Sequence, residues 1–153
     1  MPTVFRKGDI FATAGLRAYA HGCNCAGTMD AGISVAFKKR WPRMFEEYQA
    51  RCADGRFTLG EVFVWVEGEE TVYNLALQEN WKSKTKLAAL KRAVKKTVEL
   101  ATASGIESVG MPRLGAGLGG LDWPRVKSVL SAIGDETTVT LVVFEQFVRA
   151  APT

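Results

Sequence analysis

The chain has 153 residues, enough to bury a real core and the size of a single domain spanning 1–153. Apolar residues make up 47% and charged residues 24%, which excludes a disordered or fibrous chain, and no apolar run approaches the roughly 18 residues of a membrane span. The net charge of +4 permits an anionic ligand or nucleic acid but requires neither.

The N-terminal stretch, MPTVFRKGDIF, lacks the apolar core of a secretory signal, and Cys23, Cys25 and Cys52 form an odd set without ligand-like spacing. With His21 the only histidine, the expectation is a reduced, cytoplasmic protein, a monomer without metal or cofactor and without membrane contact.

Thr3–Lys7 alternates like an edge strand and ends at Gly8-Asp9. Ala18–Gly22 is a short apolar strand, after which HGCNCAG (His21–Gly27) is expected to turn sharply. Asp30 is placed to cap a helix that carries Ile33, Ala36, Phe37 and Trp41 at helical spacing, and Pro42 separates it from a second helical piece with Phe45 and Tyr48. Glu61–Val66 and Thr71–Ala76 read as strands joined by a hairpin turn at Glu67–Glu70.

Leu77–Lys84 is expected to be a loop, and Thr85 the cap of a long helix. Its apolar stripe is Leu87, Leu90, Val94, Val98 and Ala101, with Lys86, Lys91, Arg92, Lys95 and Lys96 on the solvated side and Gly105 at its end. Ile106–Met111 reads as a buried strand. It runs into MPRLGAGLGGLDW, where Gly115, Gly117, Gly119 and Gly120 let the backbone take φ > 0 and approach a ligand closely. Peptide N–H groups in such a turn can converge on an anion, most often a phosphate. Asp122 and Pro124 start a helix that Gly134 stops, and Thr138–Phe144 is a nearly all-apolar strand. Alternating strands and helices predict a three-layer α/β/α domain with a mixed central sheet, its ligand site beyond the carboxyl ends of the strands.

Four stretches together resemble the macro domain family: GDIF at Gly8–Phe11, HGCNCAGTMDAGIS at His21–Ser34, the loop from Asn74, and MPRLGAGLGGLDW at Met111–Trp123. Within it the chain is most similar to the terminal ADP-ribose protein glycohydrolase class and its bacterial DarG-type relatives. The resemblance implies ADP-ribose as ligand and ADP-ribosylated protein or DNA as partner. Asp9 and Ile10 would meet the adenine. Gly115, Ala116, Gly117 and Leu118 would offer N–H groups to the diphosphate from one side, and Gly32, Ile33 and Ser34, opening a helix, from the other. Asn24 would hold the distal ribose hydroxyls.

The pattern departs from the related enzymes at two places. They attack the anomeric carbon with a lysine, and the matching position here is Gln78, which cannot form an imine. An aspartate that some members use corresponds to Gly119. The expected activity is therefore removal of ADP-ribose by a positioned water, with Asn24 and Gln78 as the catalytic pair. The alternatives are a reader that binds ADP-ribose without turnover and a deacetylase of O-acetyl-ADP-ribose. The leaving group is an acidic protein side chain or a thymidine base of DNA. Trp81 is expected to pack against the fold, with stacking on a base as the second reading.

Overall fold

Val4–Gly8 (β1) forms one edge of a six-stranded sheet, and the other strands follow from where the apolar residues fall. They are Ala18–Asn24 (β2), Val62–Glu67 (β3), Glu70–Gln78 (β4), Ser108–Pro112 (β5) and Thr140–Phe147 (β6). A computed structural model describes residues 1–116 and 119–150. The strand order is β1-β6-β5-β2-β4-β3, all neighbours being parallel except the β3–β4 hairpin. The sheet is mixed, as expected of crossover connections plus one hairpin.

Strand β4 shows why the sheet needs two covering layers. Val72 and Ala76 face one side, Tyr73, Leu75 and Leu77 the other, and all five are buried. On the first side lie Ser34–Arg40 (α1) and Pro42–Ala53 (α2), with Phe37, Trp41, Met44 and Tyr48 in the core. On the second side lie Leu87–Ala103 (α3) and Trp123–Asp135 (α4), with Leu90, Val94, Val126 and Leu130 inside. Lys86, Lys91, Arg92, Lys95 and Lys96 are all exposed, so the basic face of α3 is the solvated one.

Several boundaries differ from the sequence reading. Strand β2 runs on to Asn24, because Cys23 and Asn24 still find partners on β4, and the turn starts at Cys25. Leu77 and Gln78 belong to β4 rather than to the loop. Asp30 caps nothing: α1 starts at Ser34 behind Ile33, and Asp30 pairs with Lys38 at 3.4 Å. Thr85 is not the cap of α3; that position is Lys86, and Thr85 is buried against the glycine-rich turn. Gly134 lies inside α4, where a Cβ would collide with Thr3, so close packing and not helix termination explains it. Gly105, with φ +69°, does follow α3 in the left-handed conformation.

Candidate functional site

Every parallel strand points its carboxyl end to the same edge of the sheet, so the segments after β1, β2, β4, β5 and β6 leave from one rim. The turns after β2 and β5 are immediate neighbours there, since Tyr19 lies beside Gly110. Gly110 is needed beneath that rim: a Cβ would lie 2.5 Å from Leu16 and 3.2 Å from Ile10. The 3₁₀ turn Ile10–Ala12 therefore presses onto β5, with the Ile10 side chain fully buried and only its backbone available to a ligand.

Asp9 caps that turn. Its Oδ1 accepts from Phe11 N–H at 3.0 Å and its Oδ2 from Ala150 N–H at 3.3 Å. The carboxylate lines a groove of about 670 Å³ with Arg6, Lys7, Thr13 and Arg149, at the ends of β1 and β6. Arg6, Lys7 and Arg149 set three cationic side chains in the same groove as the carboxylate.

The glycine-rich turn is built by close approach. Gly115 takes φ +69°, and a Cβ there would lie 2.9 Å from both Leu121 and Thr85. The carbonyl of Gly115 accepts from Leu121 N–H at 2.9 Å. In a trans peptide the following N–H, that of Ala116, points the opposite way, out of the turn's own interior. Gly117 and Leu118 lie outside the described residues. The N–H groups of Gly32, Ile33 and Ser34 precede the first hydrogen bond of the turn that opens α1, from Val35 N–H to the Gly32 carbonyl at 3.3 Å. The Ser34 hydroxyl is turned inward to His21, so its backbone alone can serve a ligand.

His21 is a core residue. It is fully buried and stacks on Phe37 with ring centroids 3.9 Å apart. Asn74 donates to the Phe63 carbonyl at 3.1 Å, so its Oδ1 accepts from His21 Nε2–H at 2.6 Å. Nδ1 is then left to accept from the Ser34 hydroxyl at 3.2 Å. Burial lowers the imidazole pKa to about 4, against the opposite pull of the Asn74 bond, so His21 is neutral near pH 7.

Asn24 is committed to its own loop. Oδ1 accepts from Ala26 N–H, Thr28 N–H and the Tyr48 hydroxyl, and Nδ2 donates to the Thr28 carbonyl and hydroxyl at 3.1 and 2.7 Å. Its amide shapes the turn that a ligand would meet, and reaching a ribose requires exchanging one of these bonds. Three thiols lie at or beside this turn, Cys23 on β2, Cys25 in the turn and Cys52 on α2, and none is a ready nucleophile: burial pushes Cys25 up to about 11 and raises Cys23 and Cys52 as well.

Gln78 ends β4 opposite Asn24, where its carbonyl accepts from Cys25 N–H at 2.8 Å. Among the described residues its side chain makes one hydrogen bond, from Nε2 to the Ser83 carbonyl at 2.6 Å. Glu79 next to it is exposed. Trp81, expected to pack, is instead 63% exposed.

Sequence and fold comparisons agree on the family of the chain. The Macro domain family profile matches residues 20–130, from within β2 to within α4. The chain belongs to the Macro domain family. The macrodomain of Mycobacterium tuberculosis DarG superposes with a TM-score of 0.82 at 30% identity, covering 93% of this chain and 97% of that one. This Macro domain is also 32% identical over 145 residues to the DNA ADP-ribosyl glycohydrolase of Mycobacterium tuberculosis, covering 92% of the chain but 41% of that relative's length. The human ADP-ribose glycohydrolase OARD1 is 26% identical over 138 residues, covering 90% of this chain and 88% of that one. No helix among the described residues is long and apolar enough to cross a membrane.

Proposed function

We propose that this Macro domain hydrolyses the bond between ADP-ribose and a modified macromolecule, and does so without a covalent enzyme intermediate. The observation that carries the reading is the convergence of Asp9, the glycine-rich turn and Gln78 on one rim in a chain similar to named ADP-ribosyl glycohydrolases.

In this reading Asp9 and the Ile10 backbone take the adenine. The diphosphate is assigned to the N–H groups of Gly115, Ala116, Gly117 and Leu118 on one side and of Gly32, Ile33 and Ser34 on the other. Fixed peptide dipoles of this kind need no reorganisation when charge develops. Asn24 shapes the wall beside the distal ribose. Gln78, with an amide carbonyl to accept a proton-bearing ligand, orients the water that attacks the anomeric carbon. The water's oxygen forms the new bond to that carbon, the bond to the macromolecule breaks, and the substrate phosphate takes the proton. Rate comes from orientation and electrostatics rather than from a nucleophile.

The deciding experiment incubates the protein with an ADP-ribosylated glutamate peptide and with an ADP-ribosylated thymidine oligonucleotide. Free ADP-ribose in either reaction supports hydrolysis. Tight binding of ADP-ribose with no release from either would make the protein a reader. The cytoplasm is the compartment this reading assigns, where both classes of substrate and free thiols coexist.

A further inference from the structure

Burying a tryptophan stabilises a fold by more than almost any other single side chain, and three of the four here, Trp41, Trp65 and Trp123, are buried or half-buried. Trp81 is not. It is 63% exposed, with the Lys82 ammonium 5.1 Å from its ring centre. A single surface aromatic is ordinary. What distinguishes this one is the turn that holds it and the place where that turn stands.

The turn is closed from within. Asn80 Oδ1 accepts from Lys82 N–H at 2.9 Å and Ser83 N–H at 3.1 Å, and Ser83 N–H also reaches the Asn80 carbonyl at 3.1 Å. It is clamped at both ends. Gln78 Nε2 donates to the Ser83 carbonyl, Thr85 N–H to the Gly119 carbonyl at 2.8 Å, and Lys86 N–H to the Leu77 carbonyl at 3.2 Å. Lys84 lies against the glycine-rich turn, its Cγ 3.6 Å from where a Gly120 Cβ would stand. The indole is thus held out at the rim on a preordered turn that bridges Gln78 and the glycine-rich turn. Lys82, Lys84 and Lys86 are exposed along the same segment, where Glu79 is the one acidic residue.

We infer that Trp81 is a stacking platform for a nucleobase of a single-stranded, ADP-ribosylated nucleic acid, with Lys82 and Lys84 beside its phosphates. The inference rests on ADP-ribose occupying the cleft, and it selects a nucleic acid over a protein as the leaving side. A planar base matches the open indole face, and a phosphate chain matches the excess of lysine ammoniums. An acidic peptide would satisfy the lysines but leave the indole without a planar partner. A turn already ordered before binding loses little entropy on doing so.

The test compares wild type, Trp81→Ala and Trp81→Phe. Three quantities are measured: calorimetric affinity for free ADP-ribose, anisotropy binding of a short unmodified single-stranded oligonucleotide at two salt concentrations, and kcat/KM on the ADP-ribosylated oligonucleotide and on the ADP-ribosylated glutamate peptide. Stacking on one base implies that Trp81→Ala loses roughly five-fold or more on both oligonucleotides. The loss on the peptide is at least five-fold smaller, and Trp81→Phe recovers most of what alanine loses. Equal losses on oligonucleotide and peptide, or no loss on the oligonucleotides, overturn the platform. If wild type fails to bind free ADP-ribose, the reading of the cleft falls. Trp81-dependent, salt-sensitive binding of the unmodified strand would still support the platform in that case, and its absence would overturn it.

Discussion

Thr85 and Gly119 hold two loops of the cleft together: the Thr85 N–H donates to the Gly119 carbonyl at 2.8 Å, and a Cβ on Gly119 would stand 2.5 Å from the Thr85 hydroxyl. The contact joins the segment after β4 to the turn after β5. It ties the position of Gln78 to that of the peptide groups proposed to face the diphosphate.

Gly119→Ala must therefore move one of the two loops. Thr85 is buried and β-branched, so its hydroxyl has few rotamers to escape into. The expected cost is about 1–3 kcal/mol of stability, read as a lower urea midpoint, together with weaker ADP-ribose binding by calorimetry. Adding Thr85→Ala removes the colliding oxygen and should recover much of both losses. A double variant no better than the single one would mean that the two loops are not coupled through this contact.

His21 predicts a pH dependence of stability. Its pKa falls from 6.5 in the unfolded chain to about 4 in the fold, so between those values the unfolded state binds a proton that the native state does not. Stability is complete above pH 6.5 and declines as pH drops through the window down to 4. The total is roughly 3 kcal/mol at 1.36 kcal/mol per pKa unit. Urea titrations from pH 7 to 4 should show this slope in wild type and a shallower one in His21→Gln. Identical slopes would place the imidazole in a wetter environment than its stack on Phe37 implies.

At the groove between β1 and β6, Asp9→Ala should weaken ADP-ribose binding about ten-fold or more, the magnitude of a lost hydrogen bond to a charged group. It should also cost about 1 kcal/mol through the lost cap on the 3₁₀ turn. Asp9→Asn keeps an oxygen for Phe11 N–H, so it should retain the stability while still binding less well. Unchanged affinity in both variants would remove the adenine from this groove.

Gln78→Ala should lower kcat on an ADP-ribosylated substrate by about ten-fold or more while changing ADP-ribose affinity less, because the amide is assigned to positioning the water. An amide cannot form an imine. Treatment of wild type with ADP-ribose and cyanoborohydride should accordingly leave the protein mass unchanged. An adduct on Lys82 or Lys84 would replace the water with a lysine route.

Much of the architecture was legible in the residues alone because it rests on local physics. Apolar spacing of three and four marks α3 and α4, alternation and a Glu-Gly-Glu-Glu turn mark the β3–β4 hairpin, and glycines with positive φ mark the end of α3 and the turn after β5. The stretches at Gly8–Phe11, His21–Ser34 and Met111–Trp123 sufficed to suggest the Macro domain family, to which the chain belongs. Helix starts were less legible: Asp30 and Thr85 are good caps by residue type, yet each is drawn to a partner elsewhere, Lys38 in one case and the glycine-rich turn in the other. Only the tertiary structure decided that the Asn24 amide is spent on Thr28, Ala26 and Tyr48, that His21 is neutral and enclosed, and that Trp81 stands open at the rim. Each of those depends on neighbours brought together by the sheet, and a side chain's type says what it can bind but not which partner the fold will place beside it.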